Sequence, residues 1–399
     1  MYNVLFITFD FHEKNKPVKS VAVATLEAYL IMKIQDIEID LFSFNMNNEY
    51  SIMFEQMATL NKRIEVNYDY ICISMYAWNM RYIEIVIDLI YSNKSKAKII
   101  TGGYEVSFRT IENLKKEHKR VNHFLIGYAE ESLYRLITKE DTNKVLSYEV
   151  NNDAIPGIYY NETIEVDSNC VIRLETKRGC PGRCTFCAYK NNDHKKITCH
   201  DINKVKKELY YLNKIGVRKV NVLDAMFPLF NYKGILEYLV EIDFKPILSL
   251  QMKFELLHNE MVRDYKLIQL LSNLNVELEF GLQSISKNVL QNVERTNDLK
   301  VIKDVIKDLN KNKIKYEVSV IRGLPGETLN SFISLIEFLE ESKCYKFVVY
   351  PLTLLTNTEL YDDKEKLELV VFKQNGLEYV ISTASYSYKE YLEMILIES

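Results

Sequence analysis

The 399 residues carry 51 lysines and arginines against 55 acidic groups, a formal net charge of −4, with 47% hydrophobic and 27% charged residues. This is an ordinary globular balance with apolar material for two cores, and it offers no bulk attraction to nucleic acid or an anionic membrane. No apolar run approaches the ~18 residues of a membrane span and nothing resembles a signal peptide, so a cytoplasmic location with no membrane or nucleic-acid partner is expected.

The first half alternates buried-strand and amphipathic-helix patterns. Strands are expected at 2–9, 37–42, 70–75, 98–101 and 124–127, with helices at 21–34, 53–65, 82–91, 110–118 and 130–137. Such alternation predicts a Rossmann-like, doubly wound parallel sheet over residues 1–140, with ligands at the carboxyl ends of its strands. Residues 141–169 are polar and punctuated by Pro156-Gly157, which reads as a linker.

From residue 170 a second, longer alternation begins. Strands are expected at 171–176, 219–224, 247–255, 276–282, 315–322 and 346–352, with helices at 202–214, 233–242, 259–274, 300–312 and 329–341. Six strand–helix repeats predict a partial (β/α)6 TIM-like barrel over 170–352, its site at the strand carboxyl ends. Residues 353–399 form an extension expected to pack on the barrel. Glu277, Glu279, Gly281 and Gln283 alternate with Val276, Leu278, Phe280 and Leu282, and Ser249–Glu255 alternates in the same way. A helix-covered strand turns its apolar face outward, so these polar residues must enter the lumen. Burying them there costs several kcal/mol unless a ligand or partner satisfies them.

The second unit opens with three cysteines in one loop, Cys180, Cys184 and Cys187, spaced C-x3-C-x2-C. Three thiolates this close suit zinc with a fourth protein ligand, or an iron–sulfur cluster with one iron left for a non-protein ligand. Phe186 and the Gly179–Gly182 turn favour the cluster. Of the other four cysteines, Cys72 reads as core, Cys170, Cys199 and Cys344 have no near cysteine partner, and no second cysteine cluster follows.

The cysteine spacing with its aromatic resembles the signature of the radical S-adenosylmethionine (radical SAM) superfamily. The resemblance continues in Asp224–Phe227 (DAMF), Glu279–Ser284 (EFGLQS) and Gly323–Thr328 (GLPGET). The loops Ser74–Asn79 (SMYAWN), Gly102–Ser107 (GGYEVS) and Gly127–Glu131 (GYAEE) are similar to the amino-terminal domain of the cobalamin-binding branch. The resemblance implies a 4Fe–4S cluster on the three cysteines that binds S-adenosylmethionine at its open iron. Reductive cleavage then gives a 5′-deoxyadenosyl radical that abstracts hydrogen from an unactivated C–H of a peptide or small-metabolite substrate. The electron would come from a donor such as flavodoxin or ferredoxin, and the enzyme would be oxygen-sensitive.

It further implies cofactor contacts from Phe186, from Asp224 near the methionine end, and from Glu279, Gln283 and Ser284. Arg295 would face the methionine carboxylate, Glu255 or alternatively Gln251 the ribose hydroxyls, and the turn from Gly323 to Glu327 the adenine. Cobalamin-dependent methyl transfer to carbon is the alternative within the class; a non-catalytic zinc or structural protein stands outside it. Asp10–Asn15 (DFHEKN) partly resembles the D-x-H-x-x-G motif that supplies a histidine to cobalt, with Asn15 in place of the glycine. The pair Gly102-Gly103 either lets a ligand approach a strand end or makes a tight turn. The segment Leu355–Thr358 departs from the family's P-G-T turn.

Overall fold

A computed structural model describes residues 1–47, 50–189, 197–356 and 358–398. The chain divides into two compact units, Met1–Cys170 and Val171–Ser399.

The first unit is a six-stranded parallel sheet. Its elements run β1 (Tyr2–Asp10), α1 (Val21–Lys33), β2 (Ile37–Asn45), α2 (Tyr50–Ile64), β3 (Tyr70–Ser74), α3 (Met80–Ser92), β4 (Lys98–Gly102), α4 (Tyr104–Phe108), α5 (Ile111–Glu117), β5 (His123–Leu125), α6 (Glu130–Ile137) and β6 (Val145–Leu146). Strand order is β2-β1-β3-β4-β5-β6. Successive side chains of β1 enter opposite cores. Val4 and Phe6 join Val23, Leu30, Leu133 and Leu136 on the α1/α6 side. Leu5, Ile7 and Phe9 join Ile83, Val86 and Ile87 on the α3 side. Both faces are covered, as a parallel sheet requires. The connection expected at 141–169 differs: β6 pairs with β5, and the unit runs to Cys170. The sequence signal was too weak because β6 is only two residues long.

The second unit holds β7 (Val171–Leu174), β8 (Lys177–Arg178), β9 (Thr198–Cys199), α7 (Ile202–Ile215), β10 (Lys219–Val222), α8 (Tyr232–Glu241), β11 (Ile247–Met252), α9 (Phe254–Arg263), α10 (Lys266–Ser272), β12 (Val276–Gln283), α11 (Lys287–Asn292), α12 (Leu299–Lys311), β13 (Lys315–Arg322), α13 (Leu329–Glu341), β14 (Phe347–Pro351), α14 (Glu359–Asp362), β15 (Val370–Gln374), β16 (Leu377–Ser382) and α15 (Tyr388–Glu398). Six parallel strands, β14-β13-β12-β11-β10-β7, form the partial-barrel sheet.

Several boundaries depart from the sequence expectation, three of them near the site. The strand expected to reach Thr176 ends at Leu174, and Lys177–Arg178 instead pairs antiparallel with Thr198–Cys199. The strand expected to reach Glu255 ends at Met252, so Glu255 lies in the first turn of α9. The single helix expected at 259–274 is two helices, because Asp264 adopts extended backbone and its carboxylate accepts the Lys266 N–H, restarting the helix.

Residues from Leu352 onward wrap the end of β13. Leu354 and Val380 exchange backbone bonds across to β16 and Leu352, and Leu352, Leu354, Leu360, Leu369 and Val380 share a core with Val289, Val293 and Leu324. Asn357 lies outside the described residues; its neighbour Thr358 caps α14.

Candidate active site

The cysteine loop springs from the β8/β9 ribbon, where Lys177 faces Cys199 and Arg178 faces Thr198. Gly179, at φ +97°, turns the chain out of β8 in a conformation that glycine adopts without strain. Further along, the Thr185 N–H donates to the Val293 carbonyl at 3.3 Å, and the Thr185 carbonyl accepts the Leu360 N–H at 3.1 Å. The loop is thereby tied both to the end of α11 and to α14. The Cys180 Sγ accepts the Gly182 N–H at 3.4 Å, and the Cys184 Sγ accepts from Arg295 Nη1 at 3.7 Å. Burial pushes the Cys180 thiol up, and the neighbouring Cys184 adds to this against the Gly182 N–H and the Arg295 charge.

Among the described residues no three Cys, His, Asp or Glu side chains gather as ligands of one metal ion. A closed zinc site needs four ligands around a single ion, whereas a four-iron cluster takes each thiolate on a different iron. The three cysteines of the loop supply the thiolate donor set that such a cluster takes.

The lumen side of the sheet is polar, in keeping with its alternation. Lys219 pairs with Glu277 at 2.7 Å and Lys346 with Glu317 at 2.5 Å. The Ser249 hydroxyl donates to Glu279 at 2.7 Å. Among the buried polar atoms of the described residues that have no partner are Asn221 Oδ1, Gln283 Oε1, Arg295 Nε and Thr185 Oγ1. Arg295 also donates to the Gly281 carbonyl. A Cβ on Gly281 would lie 2.6 Å from Gln283 Nε2 and 3.6 Å from Arg295 Nη2, so the glycine makes room for both side chains. Gln283 itself is held at φ +70°, a strained conformation of the kind found at functional sites. Orphaned acceptors beside a guanidinium suit a ligand that carries both hydrogen-bond donors and a carboxylate.

Several residues expected at the cofactor are engaged elsewhere. Asp224 is 1% exposed; its Oδ1 accepts the N–H groups of Thr176 and Lys177 at 2.9 and 3.1 Å, and its Oδ2 accepts the Thr176 hydroxyl. Glu255 accepts the Asp298 N–H at 2.9 Å at the start of α12, while Gln251 stands exposed on the lumen face of β11. Phe186 packs against the core that Leu352 and Val380 share. Ser284 is fully buried, and its hydroxyl accepts the Ser286 N–H at 3.2 Å.

In the Gly323–Thr328 turn, Gly323 is at φ +95°. Its N–H donates to Glu327 at 2.9 Å and its carbonyl accepts the Tyr386 hydroxyl at 3.0 Å. The Gly326 N–H donates to Ser385 Oγ at 3.1 Å. Burial pushes the Glu327 carboxyl up to about 8, against the pull of the Gly323 N–H and Arg322.

Sequence reasoning missed the supports behind the cysteine loop. The Glu175 carboxylate accepts from Arg178 Nε at 2.8 Å and His200 Nε2 at 3.1 Å. Burial alone would raise that carboxyl; Arg178 and then His200 outweigh it and hold it at about 2. No local pattern marks these residues, which meet only through the ribbon.

In the first unit, order β2-β1-β3-β4 places the topological switch point between β1 and β3. Trp78 Nε1 donates there to the Phe9 carbonyl at 3.1 Å, and the Trp78 ring stacks on Tyr76 with centroids 4.5 Å apart. His12 Nε2 is 2.8 Å from Ser43 Oγ, which donates to Asp10 at 3.4 Å. At Gly103, φ +108°, a Cβ would meet the Met75 carbonyl oxygen at 2.5 Å, so the glycine pair makes a tight turn between strand ends.

Three cysteines at the end of a parallel partial barrel, with a polar lumen beside them, define an enzyme that works through an iron–sulfur cluster and a small polar cofactor. Residues 174–339 match the model of the radical SAM superfamily, and the second unit belongs to that family. It is a radical SAM enzyme, dependent on a 4Fe–4S cluster and S-adenosylmethionine and on an external electron donor.

The chain is 25% identical over 331 residues to the ribosomal protein uS12 methylthiotransferase RimO of Alkaliphilus oremlandii (strain OhILAs), covering 77% of this chain and 71% of that relative. Its fold is similar to the radical S-adenosylmethionine methyltransferase TsrM from Kitasatospora setae, solved with cobalamin and a [4Fe-4S] cluster bound, with TM-score 0.70, 14% identity, and coverage of 94% of this chain and 80% of that one. It is likewise similar to the cobalamin-dependent S-adenosylmethionine radical enzyme OxsB, with TM-score 0.71, 14% identity, and coverage of 99% and 66%. The expected pairing of a doubly wound sheet with a radical SAM partial barrel is the fold observed. No helix among the described residues is long and apolar enough to cross a membrane.

Proposed function

We propose that the chain modifies an unactivated C–H of a peptide or small metabolite, with Cys180, Cys184 and Cys187 holding the cluster and Arg295, Gln283 and Gln251 holding S-adenosylmethionine. When bound, the pair supplies one-electron cleavage of the sulfonium and a 5′-deoxyadenosyl radical. The residues of this chain orient the cofactor: Arg295 offers its guanidinium to the methionine carboxylate, Gln283 offers an orphaned amide oxygen to a donor, and Gln251 takes the ribose place in preference to Glu255. Glu279, with Ser249, lines the lumen on the substrate side. The observation that carries this reading is the meeting of Cys184, Arg295 and Gly281 at one point. Flavodoxin or ferredoxin is the proposed reductant and the cytoplasm the proposed location.

A second reading, cobalamin-dependent methyl transfer to carbon, is favoured by the similarity of fold to TsrM and OxsB across nearly the whole chain. The loops after β1, β3 and β4 would then hold the corrin. His12 supports a cobalt-ligand role poorly, since its Nε2 is already bonded to Ser43.

The test is anaerobic reconstitution with iron and sulfide, followed by dithionite and S-adenosylmethionine. Wild type should turn brown and form 5′-deoxyadenosine, and Cys184→Ala should do neither; equal product from both would overturn the proposal. Corrinoid absorption retained after incubation with cobalamin and desalting decides the second reading.

A further inference from the structure

The loop after β10 and the root of the cysteine loop grip one another in both directions. Asp224, at the start of the first segment, receives the Thr176 N–H, the Lys177 N–H and the Thr176 hydroxyl. Lys177, in return, sends its ammonium back into that same segment. Its Nζ donates to the carbonyls of Phe227 at 2.7 Å, Leu229, and Phe230 at 3.3 Å, and stands 5.1 Å over the Phe227 ring. Nζ and the Asp224 Oδ2 are 3.6 Å apart, both side chains almost wholly buried.

Met226, within the gripped segment, has its Cε 3.7 Å from where a Cβ of Gly182 would stand, and Cys180 Sγ is 3.2 Å from the same point. The Phe227 N–H donates to the Gln251 carbonyl at 2.9 Å, which fixes the segment to β11. A force path thus runs from the sheet through Phe227, Lys177 and Asp224 to the two residues that lead into Arg178, Gly179 and Cys180.

We infer that Asp224 and Lys177 are positioning residues for the iron–sulfur cluster, a two-way staple that holds the cysteine loop in its ligating shape, and that Asp224 does not contact S-adenosylmethionine. The Asp224 side chain has no exposed surface, and both of its oxygens are turned to Thr176 and Lys177, so it presents no acceptor to a ligand in the lumen. A charged pair buried this deeply is a poor source of net stability; its use is to fix one arrangement of two loops that would otherwise each have several. Outer residues that hold metal ligands in place are commonly worth 10–100-fold in metal retention, and the staple is expected to act on that scale.

The inference rests on the cluster assignment of Cys180, Cys184 and Cys187, and the experiment separates the two. Full-length wild type, Thr176→Val, Lys177→Met and Asp224→Asn are reconstituted anaerobically. The decay of cluster absorption on adding an iron chelator without S-adenosylmethionine is followed, and binding of S-adenosylmethionine to the intact fraction is measured separately.

All three variants should lose cluster faster than wild type, Asp224→Asn and Lys177→Met by about tenfold or more, with binding of S-adenosylmethionine per cluster unchanged. Circular dichroism of the apo forms checks folding; should the charged-site variants be unfolded, Thr176→Val, which replaces only a hydroxyl, decides by the same readout. Decay as slow as wild type, or a loss of S-adenosylmethionine binding confined to Asp224→Asn, overturns the inference. A wild type that takes up no cluster overturns the underlying assignment instead.

Discussion

Glu327 should make the stability of this protein fall as pH rises. The side chain is fully buried; one oxygen accepts the Gly323 N–H and the other has no partner. Burial outweighs the Gly323 N–H and Arg322, and raises the carboxyl from 4.5 to about 8. A folded-state value above the unfolded one means that the native chain must give up its hold on a proton as pH climbs. The stabilising contribution of the neutral acid is complete below about pH 4.5 and is lost progressively up to about pH 8. At about 1.4 kcal/mol per pH unit, the interval is worth about 5 kcal/mol, of which about 4 falls between pH ~5 and pH ~9. Glu327→Gln keeps an acceptor for the Gly323 N–H and cannot ionise. Urea unfolding of wild type and variant across that range, with m-values checked for constancy, should show the variant gaining on wild type by about 4 kcal/mol. Parallel stability curves would refute the reasoning, because they would mean that Glu327 carries the same proton affinity folded and unfolded.

The cofactor side gives three more expectations. Arg295→Met should leave cluster content after reconstitution unchanged and weaken S-adenosylmethionine binding by about 10–100-fold, the scale of one lost charged hydrogen bond; equilibrium dialysis with labelled cofactor measures it. Gly281→Ala places a methyl against the end of a flexible side chain, Gln283 Nε2, so thermal stability should move little, by ~1 kcal/mol or less. Binding of S-adenosylmethionine should fall about tenfold or more as the amide is displaced, again read by dialysis. Tyr386→Phe removes the hydroxyl that donates to the Gly323 carbonyl, leaving a buried acceptor unpaired at a cost of about 1–3 kcal/mol, measurable as a lower urea midpoint.

What the sequence made legible was whatever repeats locally. The period-two alternation over Val276–Gln283 placed Glu277, Glu279 and Gln283 on one side of β12, and their burial alternates in step. The cysteine spacing named its own loop. What stayed hidden depends on contacts between distant segments. Nothing near Asp224 in the chain announces that residues 176 and 177 will engage it, and nothing near Gly323 announces Tyr386, 63 residues away. Glu255 misled for a different reason: its polar alternation continues past Met252 without a break, while the backbone has already turned into α9. Tyr386 lies in a tyrosine-rich tail whose composition alone gave no reason to single it out, yet its neighbour Ser385 also accepts the Gly326 N–H.

The placement of these residues follows a physical pattern that sorts the site. Asp224 and Ser284 sit at strand ends, are almost completely buried, and find their partners within the protein. Gln283 and Arg295 sit at the same level of the sheet, are only partly buried as residues, and each keep a buried polar atom with no partner. An unpaired buried acceptor or donor costs about 1–3 kcal/mol, and a folded chain keeps such a cost where a ligand removes it. These enclosed residues present no exposed polar atom to a ligand; they hold backbone in place, and their loss should appear as cluster lability or lower stability. The other two each keep a hydrogen-bonding atom unmet, and their loss should appear as weaker S-adenosylmethionine binding at constant cluster content. Two residues with the same motif pedigree, Asp224 and Arg295, should therefore fail in opposite ways.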